Sequence, residues 1–244
     1  MSDAPIWSES FCLDAHARGL VLLVQGSPGP MSLDAELIAI ALHGRDMGTC
    51  GVSLQVAEAP GRTGNPRDSP PDLERLADRL AQRLNDCACS AGVPSLRTLP
   101  MGLCAGRSEA AVLVALAARR PEWLQALVLM GGDLEAASPY LDRVQVPVLM
   151  IVGPGEFDML AGNRRASERL GARSQLEVLP CPGRGFSESG LDSHRAELAA
   201  DWFAQHLARP GPEGGLKSSQ LTSPVGAHLA QQLAPRHSEA SGWP

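Results

Sequence analysis

A three-layer α/β sandwich, with a mostly parallel sheet and helices on both of its faces, is the fold class that this sequence predicts. Two observations carry that expectation. Continuous apolar runs such as Leu20 to Val24 and Val148 to Val152 suit strands buried on both faces. Along the chain these runs alternate with segments whose apolar residues recur at helical spacing, the order from which doubly wound parallel sheets are built.

Each element has its own justification. Ile6 to Leu13 reads as an edge strand, followed by a turn and by the strand Leu20 to Val24. Ser32 to Met47 carries Leu33, Leu37, Ile40 and Ala41 at helical spacing, with Gly48 as its stop. Gly51 to Val56 is rich in strand formers, and the Pro/Gly-rich loop Ala59 to Pro71 separates it from the next helix. Asp72 to Asn85 places Leu73, Leu76, Leu80 and Leu84 on one stripe, which should pack on the sheet. Further strands are expected at Leu99 to Cys104, Leu124 to Met130, Val148 to Val152 and Leu176 to Leu179. They alternate with helices at Ser108 to Arg120, Met159 to Leu170 and Arg195 to Leu207.

The 244 residues, 44% of them hydrophobic, suffice for one substantial domain, expected over 1–208. Residues 209–244 are rich in Pro, Gly and Ser and have little to bury. They read as a disordered tail with one short helix near Ala227 to Leu233, and as a place for a partner protein to attach. A net charge of −6 without a Lys/Arg cluster, together with 4% aromatic residues, argues against nucleic-acid binding. No apolar run approaches the roughly 20 residues that span a bilayer, and MSDAPIWSES lacks the features of a signal peptide. The expected location is therefore the cytoplasm, with no membrane association. There the six cysteines should be free thiols. Cys87-Ala88-Cys89 lacks paired metal-ligand spacing, so neither a metal nor another cofactor is expected.

Chemistry concentrates in LPMGLCAGRSEAAVLVALAA, Leu99 to Ala118, which reads as a buried strand turning sharply into a helix. A nucleophile on such a turn needs small flanking residues so that the backbones can approach. Three registers compete. Alignment on the strand and helix ends places Arg107 at the turn, and a guanidinium cannot attack a carbonyl. A shift of one residue gives Gly106-Arg107-Ser108-Glu109-Ala110, a G-x-S-x-A elbow with Ser108 as nucleophile. The third, Gly102-Leu103-Cys104-Ala105-Gly106, offers Cys104 but lengthens the helix by nearly a turn. Against these stand plainer roles: Ser108 as a helix cap, with Glu109 suited to the helix dipole, and Cys104 as a core filler.

Four segments, taken in order, resemble the α/β-hydrolase superfamily, especially its dienelactone-hydrolase-like members. They are ARGLVLLVQGSPG, the stretch from LPMGLCAGRS to LVLMGGD, VPVLMIVGPGE and PGRGFSESG, and the likeness covers roughly Phe11 to Ala208. The resemblance implies a hydrolase fold with an oxyanion loop, a nucleophile elbow, an acid and a histidine before the last helix. Carried over residue by residue, the oxyanion loop becomes Gln25-Gly26-Ser27-Pro28-Gly29, without the family's histidine, and the acid becomes Glu156. The histidine position falls on Phe186, or on Arg184 if the loop is shortened. No histidine lies between His43 and His194, and His194 itself stands in the first turn of the last predicted helix.

Two functions follow as expectations. The first is a degenerate hydrolase-fold protein that binds a small molecule or a partner, with Arg107 and Glu156 paired across the vestigial site or Arg107 holding an anion. The alternative is an active hydrolase of esters, lactones or thioesters, using Ser108 or Cys104 with His194 as base, Glu156 as orienter and backbone donors near Gly26.

Overall fold

The computed structural model describes residues 11–13, 17–26, 29–54, 70–90, 99–181 and 188–207. The expected tail, Ser27, Arg184 and Phe186 lie outside the described residues.

The strands are β1 (Phe11–Cys12), β2 (Gly19–Gln25), β3 (Met47–Ser53), β4 (Met101–Gly106), β5 (Ala126–Met130), β6 (Val148–Val152) and β7 (Ser174–Val178). Between them run the helices α1 (Leu33–His43), α2 (Pro70–Ser90), α3 (Ala110–Arg119), α4 (Phe157–Leu170) and α5 (Glu188–His206). One sheet has the order β1-β3-β2-β4-β5-β6-β7, parallel throughout except for the antiparallel edge pair β1 and β3. The expected three-layer α/β architecture is therefore present.

Strand alternation divides the core into two layers. Leu20, Leu22, Val24, Leu103, Ala105, Leu127, Leu129, Val148 and Met150 face α2, α3 and α4. Val21, Leu23, Cys104, Ala126, Val128, Leu149 and Ile151 face α1 and α5. The central strands are therefore apolar on both faces, which is why they read as unbroken runs rather than as alternation.

Boundaries shifted where pairing overrode local signals. The helix expected to reach Met47 ends at His43, because Met47 and Gly48 pair with Gly19 and Leu20 as the start of β3. Gly48 is thus a strand residue, and the reversal is made by Gly44 to Asp46, with Asp46 at φ 59°. Ser32 does start α1, its Oγ accepting the Ala35 N–H at 3.3 Å. The last helix begins at Glu188 rather than Arg195, so Arg195 stands two turns inside it.

Candidate functional site

The order of strands reverses at β2, which has β3 on one side and β4 on the other. Chain leaving β2 turns into α1 on one face, and chain leaving β4 turns into α3 on the opposite face. A crevice opens beyond the carboxyl ends of strands at such a point. The residues that line up there are Gln25 at the end of β2 with Gly26 after it, Gly106 at the end of β4 with Arg107 after it, Gly131 and Gly132 after β5, and Gly153 to Glu156 after β6.

The turn from β4 to α3 is made at Arg107, which has φ 50°, in the left-handed region that L residues rarely adopt. A short 3-10 turn, Arg107–Glu109, then leads into α3. Strand, left-handed residue and helix follow one another without spacing, the geometry of a nucleophile elbow, and its apex residue is an arginine. The guanidinium is exposed. Backbone packing supports the turn from below: a Cβ on Gly132 would lie 3.0 Å from Arg107 O and 2.3 Å from Ala110 Cβ. The Gly132 carbonyl is in turn held by Nδ2 of the fully buried Asn163, at 2.9 Å.

Ser108 is the second residue of the 3-10 turn. The caps of the two consecutive helical segments are Gly106 and Glu109, so the structure does not use Ser108 as the N-cap of either. Cys104 is sealed within β4 at 2% exposure, and burial pushes its thiol up to about 12. A thiol so held stays protonated at neutral pH and out of contact with solvent.

Glu156 ends the β6 turn immediately before α4 and is folded back onto the strand ends. Its Oε2 accepts the Gly153 N–H at 2.8 Å. Its carboxylate lies so close over Gly131 that an added Cβ there would stand 2.2 Å from Glu156 Cδ. The cation beside it is Arg195 of α5, with Nη2 3.9 Å from Glu156 Oε2. The expected pairing of Arg107 with Glu156 is therefore not formed. Arg107 turns out to solvent at the elbow, Glu156 turns inward, and Arg195 answers its charge.

Arg195 was missed as a site residue, although the sequence carries a signal for it. It follows Leu191 and precedes Ala199 and Phe203 at steps of four, so it is an arginine on the buried stripe of α5. Its other carboxylate neighbour is Asp34 in the first turn of α1, at 3.6 Å.

The remaining candidates are dispersed. His194 is exposed on α5 beside Arg195. His43 is joined to Thr49 Oγ1 at 2.8 Å, and His206 packs on Trp202 with ring centroids 4.2 Å apart. No described imidazole thus hydrogen-bonds to Glu156 or to the elbow. Gln25 donates from Nε2 to Gly29 O at 3.1 Å and so shapes the loop after β2, where Gly26 is partly exposed. Among the described residues no group of His, Cys, Asp and Glu is arranged to hold a metal ion, and no helix is long and apolar enough to cross a membrane.

A crystallised dienelactone hydrolase from Anabaena variabilis is similar to this chain with a TM-score of 0.68 and 27% identity, over 81% of this chain and 90% of that one. The chain has the α/β-hydrolase fold, and this likeness supports the dienelactone-hydrolase-like resemblance carried by its segments. A monoacylglycerol lipase from Paleococcus ferrophilus shares the fold at 16% identity and a TM-score of 0.52, over 80% of this hydrolase-fold chain and 97% of the lipase. No family model matches the sequence. Two Mycobacterium tuberculosis proteins, provisionally named phosphoribosyl transferases, are each 31% identical over 198 residues, which is 81% of this chain and 43% of theirs. The chain thus spans less than half the length of the curated relatives it matches.

Proposed function

We propose that this hydrolase-fold protein has lost Ser-His-acid chemistry and uses the crevice beyond β2 and β4 to bind a small molecule that carries an oxyanion. The observation that carries the reading is the arginine at the apex of the elbow, at φ 50°. A left-handed arginine is strained by about 1–2 kcal/mol, and strain of that kind persists where the projected side chain is used. A guanidinium cannot supply a nucleophile, but its planar fork matches a carboxylate or phosphate, and the amide groups opening α3 add favourable partial charge. The buried Cys104 and the engaged Glu156 support the same reading. Within this proposal the protein acts in the cytoplasm, without metal or other cofactor, and residues 209–244 serve for contact with a protein partner.

The test is a comparison of the full chain with its Ser108→Ala and Cys104→Ala variants on p-nitrophenyl acetate, together with fluorophosphonate and iodoacetamide labelling under native conditions. No turnover above background and no labelled Ser108 or Cys104 is the expected result. A robust rate abolished by either substitution would overturn the proposal in favour of an active hydrolase of esters, lactones or thioesters.

The relatives favour a more specific form of the same reading. This chain matches 43% of their length, and in this version of the proposal the matched part serves a transferase activity of the named kind as a binding unit. The oxyanion would then be the phosphate of a phosphoribosyl compound. Ribose 5-phosphate should raise the melting temperature of the wild type and not that of Arg107→Ala; no shift in either would remove this version.

A further inference from the structure

The carboxylate of Glu156 is enclosed on three sides. Gly131 lies beneath it, close enough that no side chain fits between, and the Gly153 N–H is bonded to Oε2 at 2.8 Å. On the third side stands the guanidinium of Arg195, 12% exposed, whose Nη2 would be 2.1 Å from a Cβ on Gly153. This guanidinium is wedged rather than bonded. Its carboxylate neighbours, at 3.6 Å on Asp34 and 3.9 Å on Glu156, stand beyond hydrogen-bonding distance, and its Nε is buried without a partner. A buried arginine held this way contributes charge and volume rather than directed bonds.

In a Ser-His-acid site the acid accepts a hydrogen bond from the imidazole that serves as base, so one side of its carboxylate must stay open to the ring. We infer that Arg195 occupies and closes that station beside Glu156, so that the site excludes a base by construction and does not merely lack a histidine. The inference rests on the proposal that the protein does not hydrolyse esters. Arg195 is accordingly a positioning residue: it fixes Glu156 against Gly131 and Gly153 and ties this wall of the crevice to the start of α1 through Asp34.

Imidazole from solution can probe the station directly. The full chain carrying Arg107→Ser is compared with the double variant Arg107→Ser, Arg195→Ala for hydrolysis of p-nitrophenyl acetate at rising imidazole concentration, the rate with imidazole alone being subtracted. The new hydroxyl would give its proton to the imidazole as it attacks the ester carbonyl, p-nitrophenolate would leave, and water would release acetate from the acyl intermediate. A saturable stimulation on the order of tenfold or more is expected in the double variant and none in Arg107→Ser alone. Equal stimulation of both shows an open station and overturns the inference, as does stimulation of neither. Turnover by the wild type would instead defeat the proposed function, so the two failures are distinguishable. Should Arg195→Ala not fold, Arg195→Gln replaces it, and imidazole binding is read from the Gly153 amide resonance. That resonance should move in the variant and stay fixed in the wild type; movement in the wild type, or in neither protein, refutes the inference.

Discussion

Replacing Arg107 by glycine should make the protein more stable. The backbone there has φ 50°, a conformation that is disfavoured by about 1–2 kcal/mol for a residue with a Cβ and is open to glycine. Against this relief stands the greater freedom that glycine brings to the unfolded chain, about 0.5–1 kcal/mol. The side chain itself offsets little, since it is exposed and forms no ion pair among the described residues. The net expectation is a gain of about 0.5–1 kcal/mol, or a melting temperature higher by roughly 1–4 °C for a domain of this size. Arg107→Ala keeps a Cβ and therefore the strain, so it should stay within about 0.5 kcal/mol of the wild type. Urea unfolding followed by circular dichroism, with calorimetry for the melting temperature, measures both. If Arg107→Gly lowers stability by 1 kcal/mol or more, or Arg107→Ala loses 1–3 kcal/mol, then the guanidinium makes a stabilising contact in solution and the strain argument fails.

Three further outcomes are expected. Cys104 should resist iodoacetamide in the native protein and react after denaturation, as mass spectrometry of the labelled peptides will show. Because its folded value is raised to about 12 while an unfolded thiol titrates near about 8.5, its contribution to stability is complete below the unfolded value and falls as pH rises through the window between them. Chemical denaturation of a Cys104→Ala control at pH 8 and 10 isolates that loss. Arg195→Met should destabilise the fold by about 1–3 kcal/mol, since it leaves the enclosed Glu156 without its cation, and the loss should change little with added salt; a neutral result would mean that Glu156 is sufficiently solvated without it. Gly131→Ala should cost more than about 2 kcal/mol, because φ is 57° and the new methyl would overlap the Glu156 carboxylate; equal stability would show that the β6 turn can move aside.

The sheet was legible in the sequence because strands such as β5 and β6 are buried on both faces and leave unbroken apolar runs, each too short to be a buried helix. The start of β3 was not legible. Met47 and Gly48 look like the end of a helix when read locally, and only their pairing with Gly19 and Leu20 makes them a strand. At the site, the competition between Arg107, Ser108 and Cys104 turned on one backbone torsion, which sequence pattern does not encode for an arginine. The partner of Glu156 was hidden for another reason. Arg107 and Glu156 are related by fold-family position, whereas Arg195 reaches Glu156 from a helix whose start the sequence placed too late by seven residues. A longer α5 would have put Arg195 on the buried stripe and made its need for a carboxylate visible.

The bond network between α1 and α5 also bears on how the chain is made. Arg45 at the end of α1 holds Glu197 and Asp201 at 2.5 and 2.6 Å, while Asp34 at its start faces Arg195, so the first helix is fastened at both ends to the last. During synthesis the share of the cover of Ile38, Ala39, Ala41 and Leu42 that α5 supplies must therefore wait for more than 140 intervening residues, although β2 and β3 are already at hand. At about 5–20 residues per second, that part of the apolar face is exposed for roughly 7–30 s, a period in which chaperones can bind and in which truncated products would aggregate. The ion pair of Arg195 with Glu156 likewise forms only after α5 has left the ribosome, so this contact can stabilise the folded domain but cannot guide its early folding.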